Sequence, residues 1–565
     1  MNAAVKMPGV ATDGASLPGL VLARALAEPK RTVLRAKRLG IWKETSGADL
    51  ARAVADCAAG LADLGLKPGE TAGILAAPSP QWLICDLAVQ SAGAVAAGFH
   101  AEAAPGELPA LVARCGVSIL IVDTLEALDA ALDLRDAIPG ITKIVCFDAV
   151  AVTEIGDANV VSFDAVLAKG AASKSRAEAP WRNAAGGALA AIIPTSGLSA
   201  PSRAAQFTHD ALRAAVDASL SIAELRAGDE RLSMMQASHA FERVFGFYAC
   251  LAAGVIVNFP ESPETIPENL RELQPQIVSG SPALWSGFAR KLARASAGAT
   301  KMQQRMFQSA MQGSGLFGSM VLGKVRRDIG LSRARVALSA GAPLSADVAF
   351  RLVALGVPVT DVYAVTEAGG AVAVARKQPR EFAVARGASF EVGANGALRL
   401  RSAALCAAFV GEAPRTDAWF EAGDIAEARA GGFALHGARD ALIGAGSAWP
   451  VEDALTVSPF ITAAVVTGDA PERLSAVIFA DYDTVVGHAQ AKAIPFTHYK
   501  SLMEAAEIRA LLGEEIARAT APLGATRIAE FTIADRPFAA GDPLLGPASN
   551  LRRRLVHKSF SVRGS

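Results

Sequence analysis

Residues 336–370 read VALSAGAPLSADVAFRLVALGVPVTDVYAVTEAGG, and this stretch decides the predicted fold. Its first apolar run, residues 336–338, is followed by Ser-Ala-Gly-Ala-Pro at residues 339–343, which is typical of a sharp turn after a buried strand. Residues 346–355 then favour a helix, and residues 357–362 favour a second strand. The stretch therefore predicts a β–α–β unit.

Polar side chains follow the second predicted strand. Tyr363, Thr366 and Glu367 come at its carboxyl end, and ligands of open parallel sheets bind outside the carboxyl ends of the strands. A flat aromatic ring, a hydroxyl and a carboxylate suit a nucleotide base, a phosphate and Mg²⁺. The pattern therefore indicates a nucleotide site at this edge of the sheet.

Two motifs in this stretch make the expectation specific. SAGAP at residues 339–343 and VYAVTE at residues 362–367 resemble the adenine-binding segment and the YGxTE signature of the AMP-forming adenylating superfamily. This superfamily contains acyl-CoA synthetases, luciferases and the adenylation domains of peptide synthetases. The bacterial long-chain fatty acyl-CoA synthetases are the most similar branch, and the resemblance extends over almost the whole chain. It implies that Gly341, Ala342 and Pro343 contact the nucleotide.

Length and charge limit the possible classes of protein. A chain of 565 residues exceeds the usual size of a single hydrophobic core, so we expect at least two domains. Lys plus Arg and Asp plus Glu number 55 each, and the resulting zero net charge predicts no basic surface for nucleic acid. We expect no nucleic-acid partner.

Cysteines and hydropathy predict a soluble cytoplasmic protein. The six cysteines lie in apolar segments without metal-ligand spacing, which predicts buried free thiols in a reducing cytoplasm. Pro8, Asp13 and Pro18 interrupt any signal-peptide core, and the apolar run at residues 246–259 is too short to cross a bilayer. Peripheral contact with a membrane and the oligomeric state stay open.

The N-terminal part alternates helical and strand patterns. Residues 49–66 and 82–97 are predicted helices, and residues 72–75 and 118–122 are predicted strands. Such alternation is typical of a parallel sheet with helices on its faces. The predicted fold class is α/β, with a large N-terminal domain of parallel sheets flanked by helices.

The resemblance also implies the division into domains. A small β-subdomain is expected from residue 390 to residue 409, and a smaller, mobile α+β domain is expected at the C-terminus. The N-terminal domain, for AMP and the acyl group, would span residues 1–436, and the C-terminal lid would span residues 437–565. Asp440 would be the hinge between them.

A loop rich in hydroxyls and small residues follows the predicted strand at residues 188–193. Such a loop can surround phosphate oxygens with backbone N–H groups and hydroxyls. It resembles the family motif TSGTTGxPKG, which implies that five of its residues contact the phosphates: Thr195, Ser196, Gly197, Ser199 and Arg203. The family's lysine-glycine pair is replaced by Arg203-Ala204, and Ala200 replaces the second glycine. Taken alone, the motif would favour an ordinary surface loop.

The segment ASHAFERVFGFY at residues 237–248 resembles the SHxxERV motif of the long-chain synthetases. The resemblance implies that His239 lines the acyl and pyrophosphate pocket. The alternative is a core histidine beside a local ion pair between Glu242 and Arg243.

Three motifs lie near the C-terminus. WFEAGD at residues 419–424 resembles WFxTGD, which implies that Asp424 binds the two ribose hydroxyls. HGARD at residues 436–440 departs from the family's GRxxD, and Arg439 is the candidate to replace the missing arginine. The terminal NLRRR resembles KLRRR, with Asn550 where the family has its catalytic lysine.

Two functions follow from the resemblance. The first is a long-chain fatty acid–CoA ligase that uses ATP, Mg²⁺ and CoA, with Glu367 on the metal, Thr366 on the phosphates and Tyr363 on the adenine face. The second is a diverged acyl- or nucleotide-binding protein that has lost adenylation, or that performs only thioester formation. The changes at Ala200, Ala204, Gly437 and Asn550 favour the second function. The enzyme is the function we expect, because five residues of the binding motifs are retained: Tyr363, Thr366, Glu367, Gly423 and Asp424. No GxxxxGK(S/T) or GxGxxG opens a helix after a strand, which excludes a P-loop NTPase or a dinucleotide dehydrogenase.

Overall fold

Helices alternate with strands along the chain and pack against its large sheets. The computed structural model describes residues 15–100, 106–198, 201–297, 300–311, 315–376, 380–438, 441–443, 446–538, 542–546 and 551–560. The α-helices are α1 (Leu17–Ala27), α2 (Gly47–Asp63), α3 (Pro80–Ser91), α4 (Glu107–Arg114), α5 (Leu125–Ala137), α6 (Ala149–Ile155), α7 (Phe163–Ala171), α8 (His209–Ile222), α9 (Cys250–Ala252), α10 (Ile266–Leu273), α11 (Pro282–Ala297), α12 (Lys301–Met311), α13 (Gly315–Asp328), α14 (Ala346–Ala354), α15 (Trp449–Thr456), α16 (Tyr482–Ala491), α17 (Tyr499–Glu504), α18 (Ala506–Thr520) and α19 (Arg553–Ser559). A π-helix spans Glu242–Ala249.

The strands form three main sheets and one short hairpin. They are β1 (Thr32–Arg38), β2 (Ile41–Ser46), β3 (Thr71–Leu75), β4 (Val95–Gly98), β5 (Val117–Val122), β6 (Lys143–Cys146), β7 (Val160–Ser162), β8 (Leu189–Pro194), β9 (Ala204–Thr208), β10 (Glu230–Leu232), β11 (Ile256–Phe259), β12 (Ile277–Gly280), β13 (Val336–Ala340), β14 (Val359–Val365), β15 (Gly370–Ala375), β16 (Glu381–Val384), β17 (Ala388–Val392), β18 (Ala397–Ser402), β19 (Ala408–Phe409), β20 (Phe420–Arg429), β21 (Gly432–Ala438), β22 (Leu442–Ile443), β23 (Gly446–Ser447), β24 (Ile461–Thr467), β25 (Leu474–Ala480) and β26 (Ile528–Ile533).

The stretch from Val336 lies in the middle of a 13-stranded sheet. Its strand order is β17-β18-β20-β21-β16-β15-β14-β13-β12-β10-β11-β1-β2. β13 and β14 are parallel neighbours, and α14 lies between them in the chain, so the predicted β–α–β unit is confirmed. The second strand begins at Val359, two residues later than predicted. Gly341 follows β13 with φ +101°, a conformation that glycine adopts without strain.

An eight-stranded sheet contains most of the N-terminal part. Its order is β19-β9-β8-β4-β3-β5-β6-β7, and its neighbours from β8 to β7 pair in parallel. The single helix predicted for residues 82–97 is wrong, because α3 ends at Ser91 and β4 begins at Val95. Gly93, with φ +74°, makes the turn between them. The apolar run therefore contains a helix end and a buried strand.

The third sheet belongs to a smaller α+β unit at the C-terminus. β24, β25 and β26 form this sheet, with β24 and β25 antiparallel and β25 and β26 parallel. Leu455 of α15, Ile478 of β25 and Leu512 of α18 are fully buried in one apolar cluster. No helix in the described part of the chain is long and apolar enough to span a membrane.

Two buried arginine–carboxylate pairs hold the π-helix against strand β10 and helix α3. Arg231 Nη2 donates to Glu242 Oε2 at 2.8 Å, and Arg243 pairs with Asp86 and donates from Nε to Tyr248 Oη at 2.8 Å. The local Glu242–Arg243 ion pair considered from the sequence is therefore wrong. Adjacent helical residues point in different directions, so each finds its partner on another element.

Candidate active site

A cavity of about 810 Å³ opens at the carboxyl ends of β13 and β14. The turn after β8 contributes residues 195–198, the segment before the π-helix contributes His239, and β20 contributes residues 420–424. The C-terminal unit closes one side with residues of α15 and with Arg553. The cavity thus lies where the three sheets of the chain meet.

The structure brings most of the predicted site residues together. Twelve of them line this cavity: Thr195, Ser196, Gly197, Arg203, His239, Gly341, Ala342, Pro343, Tyr363, Thr366, Glu367 and Asp424. The other four, Ser199, Arg439, Asp440 and Asn550, lie outside the described residues. Their roles, and those of the twelve, remain predictions.

The turn between β8 and β9 is closed at its base by three hydrogen bonds. The Thr195 N–H donates to the Arg203 carbonyl at 2.7 Å, and the Arg203 N–H donates to Thr195 Oγ1 at 2.9 Å. Ser202 Oγ also donates to the Thr195 carbonyl at 2.6 Å. These bonds join the two ends of the loop, whose residues 195–198, 201 and 203 line the cavity.

Arg203 places a positive charge beside this loop. Its Nη2 lies 3.9 Å from Glu367 Oε1, its Nη1 lies 3.6 Å from Glu412 Oε2, and its guanidinium carbon lies 3.6 Å from the Phe409 ring centroid. The side chain is 43% exposed. Burial raises the pKa of Glu367 above its ordinary value, and Arg203 partly offsets this effect. A further cation next to Glu367 would therefore be stabilising.

Tyr363 and Asp424 form a close pair across two strands. Tyr363 Oη donates to Asp424 Oδ2 at 2.5 Å. The Tyr363 ring packs edge-on against Phe433, with ring centroids 5.2 Å apart. Burial raises the pKa of Tyr363 well above its ordinary value, so the phenol stays a donor. The pair presents an aromatic ring and a carboxylate on the same wall of the cavity.

His239 also faces the cavity. The residue is partly buried, and its buried Nδ1 makes no hydrogen bond to any described residue. Burial lowers the pKa of His239 to about 4, so the imidazole is neutral at physiological pH. The side chain can give or accept one hydrogen bond without adding charge.

Asp361 is a cavity residue that the sequence analysis missed. Its Oδ2 accepts the Leu344 N–H at 3.0 Å, whereas its Oδ1 has no partner among the described residues. Burial raises the pKa of Asp361 to about 7. Alternation along a strand places residues two apart on one face, so the signal was the position of Asp361 two residues before Tyr363.

Sequence analysis also missed the contribution of α15. Asp453 of this helix pairs with Arg380, and the Arg380 guanidinium carbon lies 5.5 Å from the Trp449 ring centroid. Glu452 pairs with Arg553 and also accepts the Val466 N–H at 2.7 Å. No pattern in the sequence connects these residues, because each pair joins separate segments.

The residues fit a nucleotide and a magnesium ion. Within the described ranges no three His, Cys, Asp or Glu side chains form a metal-binding group. Mg²⁺ usually takes only one or two protein carboxylates and completes its shell with water and substrate phosphates. Glu367 lies beside the hydroxyl-rich loop between β8 and β9, and its side chain is one such carboxylate.

Comparison with known proteins agrees with this geometry. The model of the family described as "AMP-binding enzyme" matches residues 22–390. The chain belongs to this AMP-binding family, and it has the two-domain fold of adenylate-forming enzymes. Among its relatives is the long-chain-fatty-acid–CoA ligase FadD15 of Mycobacterium tuberculosis, 23% identical over 563 residues and covering 92% of both chains. The ligase ACSBG2 of Gallus gallus is 23% identical and covers 86% of this chain and 72% of its own.

Solved structures share the fold over nearly the whole chain. The adenylation domain of a carboxylic acid reductase from Segniliparus rugosus, in complex with AMP and a co-purified carboxylic acid, superimposes with a TM-score of 0.80. It is 18% identical, and the match covers 99% of this chain and 97% of that domain. The anthranilate CoA ligase AuaEII, in complex with anthranoyl-AMP, gives a TM-score of 0.71 at 17% identity, with 96% and 97% covered.

Proposed function

We propose that this protein is an acid–thiol ligase, which activates a carboxylic acid with ATP and transfers the acyl group to CoA. The observation that carries this proposal is one cavity that the Tyr363–Asp424 pair, Thr366 and Glu367 line together with residues 195–198, 201 and 203. An aromatic ring, a ribose-binding carboxylate, hydroxyls and a cation are the groups that a nucleotide requires.

The proposed reaction has two steps. In the first, a carboxylate oxygen attacks the α-phosphorus of ATP, a P–O bond forms to give acyl-AMP, and the bond to pyrophosphate breaks. In the second, the CoA thiol loses its proton and attacks the acyl carbonyl, so that AMP leaves. Such transfers depend on positioning and on positive charge against the phosphate oxygens.

The chain's own residues have separate tasks in this proposal. Asp424 accepts the hydrogen bonds of two ribose hydroxyls, and Tyr363 holds this carboxylate while its ring faces the base. Arg203 and the hydroxyls of the loop contact the phosphates, and Thr366 adds a donor. Glu367 would hold Mg²⁺, which would neutralise phosphate charge when bound. His239 remains neutral and faces the acyl and pyrophosphate side.

A long-chain fatty acid is the acid we propose first, because relatives along the whole chain are named long-chain-fatty-acid–CoA ligases. The structural neighbour AuaEII is named for an aromatic acid, so aromatic acids belong in the same assay. Reducing cytoplasm is the proposed location, which six buried free cysteines support. We further propose residues 1–436 and 437–565 as domains with a hinge at Asp440.

Pyrophosphate exchange into ATP tests the first step, with medium-chain, long-chain and aromatic acids supplied in turn. We expect exchange that depends on the acid and on Mg²⁺, and acyl-CoA product detectable by mass spectrometry when CoA is added. Asp424→Ala should abolish most of the exchange, whereas Asp417→Ala, seven residues earlier on the exposed segment before β20, should not. Absence of exchange with every acid, in a protein that binds ATP, would contradict adenylation.

A second candidate function is thioester formation from acyl-AMP supplied by another source. The observation that favours it is Asn550, because an asparagine amide carries no charge at the position of the family's lysine. In that case synthetic acyl-AMP with CoA gives thioester faster than acid, ATP and CoA. Asn550→Lys should then accelerate only the complete reaction, by about 10²–10³-fold if the lost charge acts like an oxyanion donor. Equal rates from both sets of substrates would exclude this candidate.

A further inference from the structure

Helices α11 to α14 form one layer on the 13-stranded sheet. A single buried apolar cluster contains side chains from all four helices and from strands β12 and β13, and its helical members include Trp285, Ala310, Leu322 and Leu352. Arg326 Nη1 of α13 donates to the carbonyl of Leu355, directly after α14, at 2.7 Å. The outward sides of these helices therefore belong to one surface, which we call the α11–α14 layer.

The α11–α14 layer is basic, although the whole chain is neutral. Residues 282–327 contain eight Lys or Arg side chains and no Asp or Glu, whereas the chain has 55 of each sign. The nearest acids are Asp328, at the end of α13, and Asp347, whose Oδ2 lies 2.6 Å from Arg351 Nε. Five bases of the layer are exposed and form no ion pair within the described part of the chain: Lys291, Lys301, Arg305, Lys324 and Arg327. Their positive charge is therefore available to an external anion.

Large apolar side chains project from the same helices into solvent. Met302 of α12, Met320 of α13 and Phe350 of α14 are each more than 70% exposed. Val353 follows Phe350 by about one helical turn and is 54% exposed. Exposed apolar groups that are rimmed by polar residues commonly mark a surface that binds a partner. The layer therefore has the composition of a binding surface.

This combination of charges and apolar groups is complementary to an anionic lipid surface. Helices that lie in a bilayer interface carry Lys and Arg beside large apolar side chains, and these enter the boundary between headgroups and acyl chains. The long bases then reach the anionic headgroups while their apolar stems stay out of water. A protein partner is disfavoured, because protein interfaces are depleted in Lys and three of the five exposed bases are lysines. Nucleic acid would contact the bases but leave the apolar side chains without a partner.

We propose that the α11–α14 layer docks on an anionic lipid bilayer. Met302, Met320 and Phe350 enter the headgroup boundary, and the five exposed bases contact the lipid phosphates. None of these residues is among those that line the cavity of the candidate active site. The inference therefore goes beyond the proposed ligase reaction and does not depend on it.

Co-sedimentation of the full-length protein with lipid vesicles tests this docking. Vesicles of phosphatidylglycerol and phosphatidylcholine in equal parts present the anionic surface, and vesicles of phosphatidylcholine alone are the neutral reference. We expect binding to the anionic vesicles to weaken by about tenfold or more when the salt concentration rises from about 0.1 M to about 0.5 M, because salt screens the exposed bases. The neutral vesicles should bind at least about tenfold less tightly.

Substitutions in the layer separate the effect of charge from that of apolar contact. Arg305→Gln combined with Lys324→Gln should weaken binding to anionic vesicles by about 10–30-fold, at about fivefold for each base near the surface. Phe350→Gln should weaken it by about tenfold and leave its salt dependence unchanged, because an apolar contact is lost. These side chains are exposed, so the variants should unfold at the same temperature as the unaltered protein in circular dichroism.

Exposed residues outside the layer supply matched controls. Val150 is 66% exposed on α6, a helix that carries Glu154 and no base, so Val150→Gln removes a comparable apolar side chain in an acidic setting. Lys67 and Lys492 are also exposed, and Lys67→Gln combined with Lys492→Gln removes two positive charges. We expect both controls to bind anionic vesicles within about twofold of the unaltered protein.

Four results would overturn the proposal. One is the absence of binding to anionic vesicles, and another is an equal loss of binding in the controls, which would show an effect of composition rather than of this surface. A short DNA duplex that binds as tightly as the vesicles, and no longer binds after Arg305→Gln and Lys324→Gln, would identify a nucleic-acid surface instead. Self-association of the unaltered protein in sedimentation velocity, abolished by Phe350→Gln, would show that a second copy covers the layer.

Discussion

We expect the stability of this protein to depend on pH through the protonation of Asp361. Its carboxyl lies in the cavity wall, where Oδ2 accepts the Leu344 N–H and Oδ1 has no partner in the described residues. Burial raises the pKa of Asp361 from 3.8 to about 7, and Arg380, which pairs with Asp453, offsets only part of that effect. Replacing the carboxyl by an amide of the same shape, Asp361→Asn, removes the titration and leaves an oxygen for the Leu344 N–H.

The sign of the effect follows from proton binding. Below pH 3.8 the carboxyl is protonated in both the folded and the unfolded states, and it contributes no pH dependence. Between pH 3.8 and pH 7 the folded state keeps a proton that the unfolded state has released, so the free energy of unfolding falls as the pH rises. Above pH 7 both states are ionised and the loss is complete.

The size of the effect follows from the same two pKa values. The difference between 3.8 and about 7 corresponds to a total loss of about 4 kcal/mol, at 1.36 kcal/mol per pKa unit. Roughly 2 kcal/mol of this loss falls between pH 5 and pH 7, a range in which the fold can be studied. The new amide hydrogens of Asp361→Asn cost stability if they stay unpaired, but that cost does not vary with pH.

Urea unfolding at pH 5, 6, 7 and 8 measures the effect as a difference between the two proteins. We expect the free energy of unfolding of Asp361→Asn, relative to that of the unaltered protein, to increase by roughly 2 kcal/mol between pH 5 and pH 7. From pH 7 to pH 8 this difference should change little, because most of the titration is then complete. Asp136→Asn, at a side chain that is 80% exposed, should show no such gain. Parallel pH profiles for Asp361→Asn and the unaltered protein would refute the reasoning, because they would show a carboxyl that titrates normally.

Three further predictions concern binding, domain structure and stability. Asp424→Ala should lower ATP affinity by ~1.5–3 kcal/mol in calorimetry, because the acceptor of Tyr363 and of the proposed ribose contacts is lost; unchanged affinity would make the ribose assignment wrong. Limited proteolysis, followed by mass spectrometry, should cleave first within residues 437–447 if the proposed domain boundary is correct, and a resistant core across that segment would contradict it. Arg243→Met should cost about 3–5 kcal/mol in urea unfolding, because Asp86 is left as a buried charge, and a cost below about 1 kcal/mol would mean that Asp86 is solvated or protonated.

Local patterns in the sequence predicted the β–α–β unit of the large sheet but not every boundary between a helix and a strand. The β–α–β unit at residues 336–370 could be predicted because a strand, a glycine turn and an amphipathic helix each leave a local signal. Strand β4 could not be separated from helix α3, since both are apolar and only Gly93 marks the boundary. A short buried strand and a buried helix have the same composition, so periodicity alone does not distinguish them.

The candidate site shows the same division between local and distant information. Tyr363, Thr366 and Glu367 lie within one motif, and the motif predicted their common position in the cavity wall. Arg553 and Glu452 are 101 residues apart, and no local pattern in either segment indicates that they meet. Asp361 could have been predicted in part. Alternation along a strand places it on the same face as Tyr363, once this segment is recognised as a strand.

The charges around the cavity show which cations remain free to meet a phosphate. Arg553 forms an ion pair with Glu452, and both side chains are more than four-fifths buried. Arg203 contacts Glu367 and Glu412 only at 3.9 and 3.6 Å and is partly exposed, so little energy holds it there. A magnesium ion on Glu367 would repel Arg203 from that carboxylate and towards incoming phosphate oxygens. Arg203 would then supply positive charge to the phosphates from the loop, which is how a chain with asparagine in place of the family's lysine could still stabilise the reaction.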